Sequence, residues 1–214
     1  MLQEGVLAID TAAPVIGVAY YSHYEQVVWE KRVIQGADSY LFPNLVDIIQ
    51  GRTISAVAVT VGPGSFIGLR MGVSTALGLA VSLDVPIIPL SSLLCRALML
   101  TGPKVLAVLD ARKSRVYSQL FSCHNQDPQY LSQPADQPIE KSIPESGYLA
   151  IGEGAVRYRE KILASGGKIA PDAARSPALE AASYAFRHQE LCTPPEQIAM
   201  NYLRPFETGG GKRA

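Results

Sequence analysis

The 214-residue chain has little of what a self-sufficient enzyme displays. Its three histidines, His23, His124 and His188, stand alone and none has the HxxxH spacing of a metal site. No GxSxG elbow and no Cys–His signature is present, so a peptidase reading has no nucleophile–base pair to rest on. The three cysteines, Cys95, Cys123 and Cys192, are widely spaced, odd in number and outside any CxxC pattern. A disulfide framework is not expected, and a reducing cytoplasm is. Neither sign of charge is in excess: 19 Lys and Arg face 19 Asp and Glu. Nucleic-acid binding draws on clustered cations, and the clusters here are only "DARKSRVY" at Asp110–Tyr117 and the tail "GGGKRA". If RNA is involved, a partner is expected to supply most of the contact. No apolar run reaches about 18 residues without breakers, and no secretory pattern opens the chain, so neither a membrane span nor export is expected.

What is present is a strand-and-helix rhythm. "GVLAID" (Gly5–Asp10), "VIGVAYY" (Val15–Tyr21) and "QVVWEKRVI" (Gln26–Ile34) follow one another through short turns, as an antiparallel meander does. An apolar helix over Tyr40–Gln50, a buried strand at Ile54–Val61, a glycine loop with its helix, a strand at Val85–Leu90 and a helix at Ser91–Leu100 come next. Three meandering strands followed by alternating helices and strands predict an α/β fold of the ribonuclease H-like, actin-like class, with a mixed sheet and helices on both faces. At Lys104 the pattern restarts: "KVLAVLD" echoes "GVLAID" and "RVYSQLF" echoes "VIGVAYY". A duplicated unit follows. Its second copy is reduced, with loops around a minimal third strand over Ser122–Gly147, a strand and glycine turn at Tyr148–Ala155, a helix over Val156–Ala164 and a last helix near Ala178–Glu190. The expected domains are residues 1–103, carrying the partner-binding helices, and 104–206, with a flexible tail at 207–214.

Three features compete for a functional role. Asp10 and Thr11 lie at the first strand–turn junction, where an actin-like domain faces phosphate; the plain alternative is a carboxylate capping a turn. "GPGSFIG" (Gly62–Gly68) offers Gly62, Gly64 and the cap Ser65 at a helix N-terminus, an arrangement that binds anions or simply makes a tight connection. It lacks the lysine of a P-loop and does not fit GxGxxG. With Asp110 of the second unit, these residues form a candidate vestigial nucleotide site. The helix itself is almost uncharged: Gly68, Gly72, Ala76 and Ala80 form a small row, Leu69, Val73, Leu77 and Val81 an apolar one, and only Arg70, Ser74, Gly78 and Ser82 a polar one. A helix so apolar needs cover on two sides, and a small row admits a close neighbour. The cover is either this chain or a subunit interface that also takes in Leu41, Leu45, Ile48 and Ile49.

"LAIDTA" (Leu7–Ala12), "GPGSFIGLRMGVSTALGLA" (Gly62–Ala80), "PLSSL" (Pro89–Leu93), "LDARKSRVY" (Leu109–Tyr117) and "NYLRP" (Asn201–Pro205) together resemble the TsaB (YeaZ) family. The resemblance implies an actin-like fold in two lobes. It also implies a non-catalytic, activating subunit in the making of threonylcarbamoyladenosine beside the tRNA anticodon. Its implied partners are TsaD, the catalytic and metal-binding subunit, and TsaE, an ATPase. TsaD is met through first-lobe helices, including the one after the glycine loop. A homodimer through the same surface, tRNA contact only through the complex, no cofactor or metal of its own, and ATP or ADP only at the junction with TsaD belong to the same expectation. Two departures from the family pattern, Ile67 in place of threonine and no histidine in "GADSYLF", lower the expectation of phosphate binding. A stand-alone actin-like ATPase or small-molecule kinase is the alternative, and a ribonuclease H-like nuclease would need more carboxylates than Asp10.

Overall fold

The computed structural model describes residues 4–124, 127–145 and 147–204, and the expected tail at 207–214 lies outside them. The first half opens with strands β1 (Glu4–Asp10), β2 (Val15–Tyr21) and β3 (Gln26–Arg32), then helix α1 (Ala37–Ile49), β4 (Thr53–Gly62), helix α2 (Phe66–Leu83), β5 (Ile87–Ser91) and α3 (Ser92–Ala97). These strands form one sheet in the order β3-β2-β1-β4-β5. The meander pairs are antiparallel, and β1–β4 and β4–β5 are parallel. The second half repeats this plan. β6 (Gly102–Asp110) and β7 (Val116–Cys123) pair antiparallel, and β10 (Leu149–Ile151) and β11 (Lys168–Ile169) extend the sheet in parallel beyond β6. The place of a third meander strand is taken by two fragments, β8 (Gln129–Tyr130) and β9 (Ala135–Gln137), both on β7. Four short or medium helices complete it: α4 (Ile139–Ser142), α5 (Glu153–Arg157), α6 (Arg159–Ala164) and α7 (Ala178–Arg187). The helix expected over Val156–Ala164 is thus two, broken at Tyr158.

Sheet order and strand sense are those of the expected duplicated actin-like fold. The halves do not have separate cores, however. One face of the first sheet packs Leu7, Ile9, Val18, Val57 and Val59 against Leu41, Leu45 and Ile48 of α1 and Val73, Ala76 and Ala80 of α2. Its other face is small, with Ala8, Ala19, Ala56 and Ala58, and receives Ala178, Ala181, Ala182 and Ala185 of α7 from the second half. In exchange, Leu93, Leu94 and Ala97 of α3 pack on Val105, Ala107, Leu109 and Phe121 of the second sheet. The outer face of that sheet is covered by α4, α5 and α6 through Ile139, Ala155 and Ile162. The layers therefore run helix, sheet, helix, sheet, helix, with α3 and α7 in the middle.

After α7 the chain doubles back along α2 as a strap. Thr193 exchanges both backbone hydrogen bonds with Ile87 (2.7 and 3.1 Å), and Ile198 and Met200 pack into the first core. The Asn201 amide donates to the Val61 carbonyl at 2.7 Å, the Tyr202 ring meets Phe66 at 5.5 Å, and Arg204 reaches the Ala111 carbonyl (3.0 Å) and Asp136 (2.7 and 2.8 Å) of the second lobe.

Candidate functional site

In a parallel-containing α/β sheet a ligand is expected outside the carboxyl ends of the strands, where the order of connections switches. Here that point is the end of β1 beside β4, and Asp10 occupies it with no exposed surface. Its carboxylate is fully engaged. From α3, Arg96 donates through its two terminal nitrogens to Oδ2 (3.1 Å) and Oδ1 (3.4 Å). The Thr60 hydroxyl of β4 donates to Oδ1 at 2.8 Å, and the Ser176 hydroxyl, just before α7, to Oδ2 at 3.3 Å. Arg96 is itself 1% exposed and gives a further hydrogen bond to the Ser92 carbonyl at 3.0 Å. Burial works against its charge, but the attraction of Asp10 and Glu153 prevails and holds its pKa above the ordinary value. A buried carboxylate persists only when paired and hydrogen-bonded in this way. The pair fastens four segments, β1, β4, α3 and the entry to α7, at the centre of the two-lobed molecule.

The glycine loop is closed by the same turn. Ser65 caps α2 as expected, its hydroxyl accepting from the Gly68 amide at 3.3 Å, but the Ser65 amide donates to the Ala12 carbonyl at 2.8 Å. The Thr11 hydroxyl donates to the Gly68 carbonyl at 2.7 Å. Gly62 adopts φ +123°, and a Cβ there would run into the Asn201 carbonyl of the strap; a Cβ on Gly64 would meet Ala12. The structure thus brings Asp10, Thr11, Gly62, Gly64 and Ser65 together, and what they surround is protein. Asp110 makes its own contacts in the second lobe. It sits at the matching end of β6 in the second lobe, where its Oδ1 accepts from the Arg112 amide (3.0 Å) and its Oδ2 pairs with Arg157 (3.0 Å). The neighbouring Glu153 accepts from the Asp110 amide at 3.1 Å, and burial pushes its carboxyl above the usual range. These side chains do not fit a nucleotide with its metal: the acid that would face the metal is held by an internal arginine, and two amides of the loop, those of Ser65 and Gly68, are held by Ala12 and Ser65. Among the described residues no group of three His, Cys, Asp or Glu side chains could hold a metal ion.

The small row of α2 also has an internal explanation, which corrects the interface residues expected from sequence. A Cβ added at Gly68 would strike the Thr11 carbonyl, and one at Gly72 the Thr11 hydroxyl. The row therefore lets α2 approach its own β1 turn rather than a foreign helix. Leu69, Gly72, Val73, Ala76 and Ala80 are buried in the chain's own core, as are Leu41, Leu45 and Ile48 of α1; Gly68, Leu77 and Ile49 are half-buried. The open surface of this helical layer is a different set. Phe42 (48% exposed) and Val46 (63%) project from α1, and Ile67 (79%) and Val81 (70%) from α2, with Arg70, Ser74 and Gly78 exposed between them. Arg70 lies over the Phe66 ring at 3.8 Å from its centroid. In length and composition α2 would suffice to cross a membrane, contrary to the expectation from sequence, yet its buried flank is part of the first core. Arg96, the residue that decides the state of the crevice, was not among those singled out in the sequence; an arginine in an otherwise apolar "SSLLCRALML" was the available signal.

Fold and site together define an actin-like protein of two interlocked lobes, whose ligand crevice is closed by its own side chains and whose outer helices are open. The profile of the family described as TsaD, tRNA N6-adenosine threonylcarbamoyltransferase, matches residues 48–188. The chain belongs to that family, and within it to the TsaB (YeaZ) group. It is 32% identical over 124 residues to the "tRNA threonylcarbamoyladenosine biosynthesis protein TsaB" of Haemophilus influenzae, covering 52% of this chain and 51% of that one. It is 33% identical over 133 residues to the protein of the same name from Bacillus subtilis, covering 56% of each. The chain thus spans about half the length of the curated relatives it matches. Among solved structures, YeaZ from Pseudomonas aeruginosa superposes with a TM-score of 0.79 at 22% identity, over 94% of this chain and all of that one, a likeness of fold.

Proposed function

We propose that this chain is a non-catalytic, activating subunit for threonylcarbamoylation of tRNA adenosine, pairing with a TsaD-type catalytic subunit and, through that pair, with the ATPase TsaE. The observation that carries the reading is the state of the crevice. Asp10, the acid at the fold's ligand position, is enclosed and neutralised by Arg96, while apolar side chains of α1 and α2 stand in solvent. A fold that has closed its own site and kept an open apolar layer is suited to holding a partner. TsaD would sit on Phe42, Val46, Ile67 and Val81, and a second copy of this chain would use the same face when TsaD is absent. Any ATP or ADP would lie at that junction, the tRNA would be reached only within the complex, and the compartment would be the cytoplasm. The names of the curated relatives and the matching family profile support this assignment.

The test is co-expression with the TsaD of the same organism, followed by sizing and a modification assay in which each protein is omitted in turn. Ile67→Glu and Val46→Asp place charge on the open face, away from the core, and are expected to abolish co-elution and modification while leaving the melting temperature unchanged. Co-elution of both variants with TsaD at wild-type yield overturns the assignment of the face.

A further inference from the structure

We infer that the turn between β6 and β7, with the arginines gathered around it, contacts the phosphodiester backbone of RNA. The inference rests on the proposed role in tRNA modification and adds to it a surface of this chain's own. Its first basis is backbone conformation. Arg112, Lys113 and Ser114 hold φ of +61°, +49° and +57°, three successive left-handed residues. The turn is closed by Ala111 N–H donating to the Arg115 carbonyl and Arg115 N–H to the Arg112 carbonyl, both at 3.0 Å. At Gly36, Gly51, Gly147 and Gly166 the same chain assigns left-handed positions to glycine, which adopts them without steric conflict. Elsewhere Asp84 and Asp172 hold such a position singly, but here three non-glycine residues do so in succession, all exposed, and two of them carry long cationic side chains. Strain kept where glycine would remove it points to side chains that are needed.

The second basis is charge. The ion pairs of this corner join four arginines, Arg112, Arg115, Arg157 and Arg204, to two acids, Asp110 and Asp136, and the exposed Lys113 adds a fifth cation, in a chain of zero net charge. The acids face inward: Asp110 and Asp136 are 11% exposed, against 80% for Arg112 and 53% for Arg157. What solvent meets is therefore cationic. These cations are spread over a hairpin tip, the end of α5 and the strap, so they suit a polyanion of repeated charges better than one compact phosphate group. Such a contact is read in salt dependence, because each phosphate neutralised releases counterion.

The experiment uses the reconstituted complex with TsaD and TsaE and measures tRNA affinity at several salt concentrations, separately from modification. Arg112→Glu/Lys113→Glu is expected to leave co-elution with TsaD intact, weaken tRNA binding about tenfold or more, and lower the log–log salt slope by about 1–2. Arg112→Gly/Lys113→Gly removes charge while relieving the left-handed strain; its melting temperature should not fall, yet its tRNA binding should weaken as well. Unchanged affinity and slope in both variants overturn the inference. So does loss of co-elution, which would make the turn a protein contact, or competition by free ATP at the concentration at which it binds, which would make it a nucleotide site. A wild-type complex that binds tRNA but does not modify it would count against the proposed function and leave this contact standing. One that binds no tRNA overturns both.

Discussion

Replacing Arg96 by methionine tests whether the Asp10–Arg96 pair is the fastening of the two lobes. Both groups are out of water, with side-chain exposures of 1% and 0%, so solvent screening does not discount the pair. The substitution keeps most of the stem volume and removes the guanidinium. Asp10 would then keep the Thr60 and Ser176 hydroxyls, and the Ala12 amide at 3.4 Å, but no positive charge. Breaking a buried pair by removing one partner costs about 3–5 kcal/mol. For a chain of this size each kcal/mol lowers the melting temperature by about 2–4 °C, so a drop of roughly 6–20 °C is expected. Asp10→Asn alone should also cost several kcal/mol, because it leaves a buried arginine with neutral neighbours. The double variant Asp10→Asn/Arg96→Met removes both charges and should cost less than the two singles added, with a coupling of about 2 kcal/mol or more. Urea unfolding of the four proteins, read by circular dichroism, measures all of these terms. If Arg96→Met costs less than about 1 kcal/mol, or the double variant costs the sum of the singles, the pair is incidental and the account of the closed crevice fails.

Two further outcomes follow from the same packing. Gly72→Ala drives a methyl into the Thr11 hydroxyl that anchors the Gly68 carbonyl, and should destabilise by about 1–3 kcal/mol in a denaturant melt, whereas Gly78→Ala, with open space around it, should be neutral or stabilising. His188 is flanked by Asp127 on Nε2 and Glu190 on Nδ1, both at 2.8 Å, with Arg187 also on Asp127 and the Tyr184 ring stacked at 4.2 Å; burial opposes its charge, but Glu190 and Asp127 together hold its pKa above the ordinary value. A raised folded pKa gives stability that is full below the ordinary histidine value near about 6.5 and is lost as pH rises through the folded one, so the difference in melting temperature between wild type and His188→Gln should shrink from pH 6 upward; a difference constant from about pH 6 to 9 would refute the clasp.

How much of this was legible in sequence depends on whether the information is local. Strands β1, β2, β4, β6 and β7 are apolar runs bounded by turns, and their order alone yields the duplicated actin-like plan, because period and punctuation are local properties. The reduction of the second meander was legible too, since a proline- and glutamine-rich stretch cannot carry a full strand. It was not legible that α3 and α7 exchange lobes, or that residues 193–204 form a strap along α2, since those pairings join distant segments and leave no periodic trace. The block "NYLRP" enters the sequence reading only through the family resemblance; its structural role is a backbone bond to Val61, a ring contact with Phe66 and an arginine reaching the other lobe.

The burial within this chain of the α2 row expected at an interface has the same origin and a general point. A row of glycine and alanine states that something approaches the helix closely, and it does not state what. In α2 the approaching object is the turn at Thr11, whose hydroxyl bonds the Gly68 carbonyl and leaves no space for a Cβ at Gly68 or Gly72. The close fit of α2 to the turn and the capture of Asp10 by Arg96 both hold the end of β1. Once the lobes are pinned together at Asp10, they lose the freedom to open around a ligand. On the proposed function, a layer of α1 and α2 held by this pin would spare a docking partner the entropic cost of ordering its surface. On this reasoning, a loosened crevice in Arg96→Met should weaken pairing with TsaD even though Arg96 is far too buried to touch it.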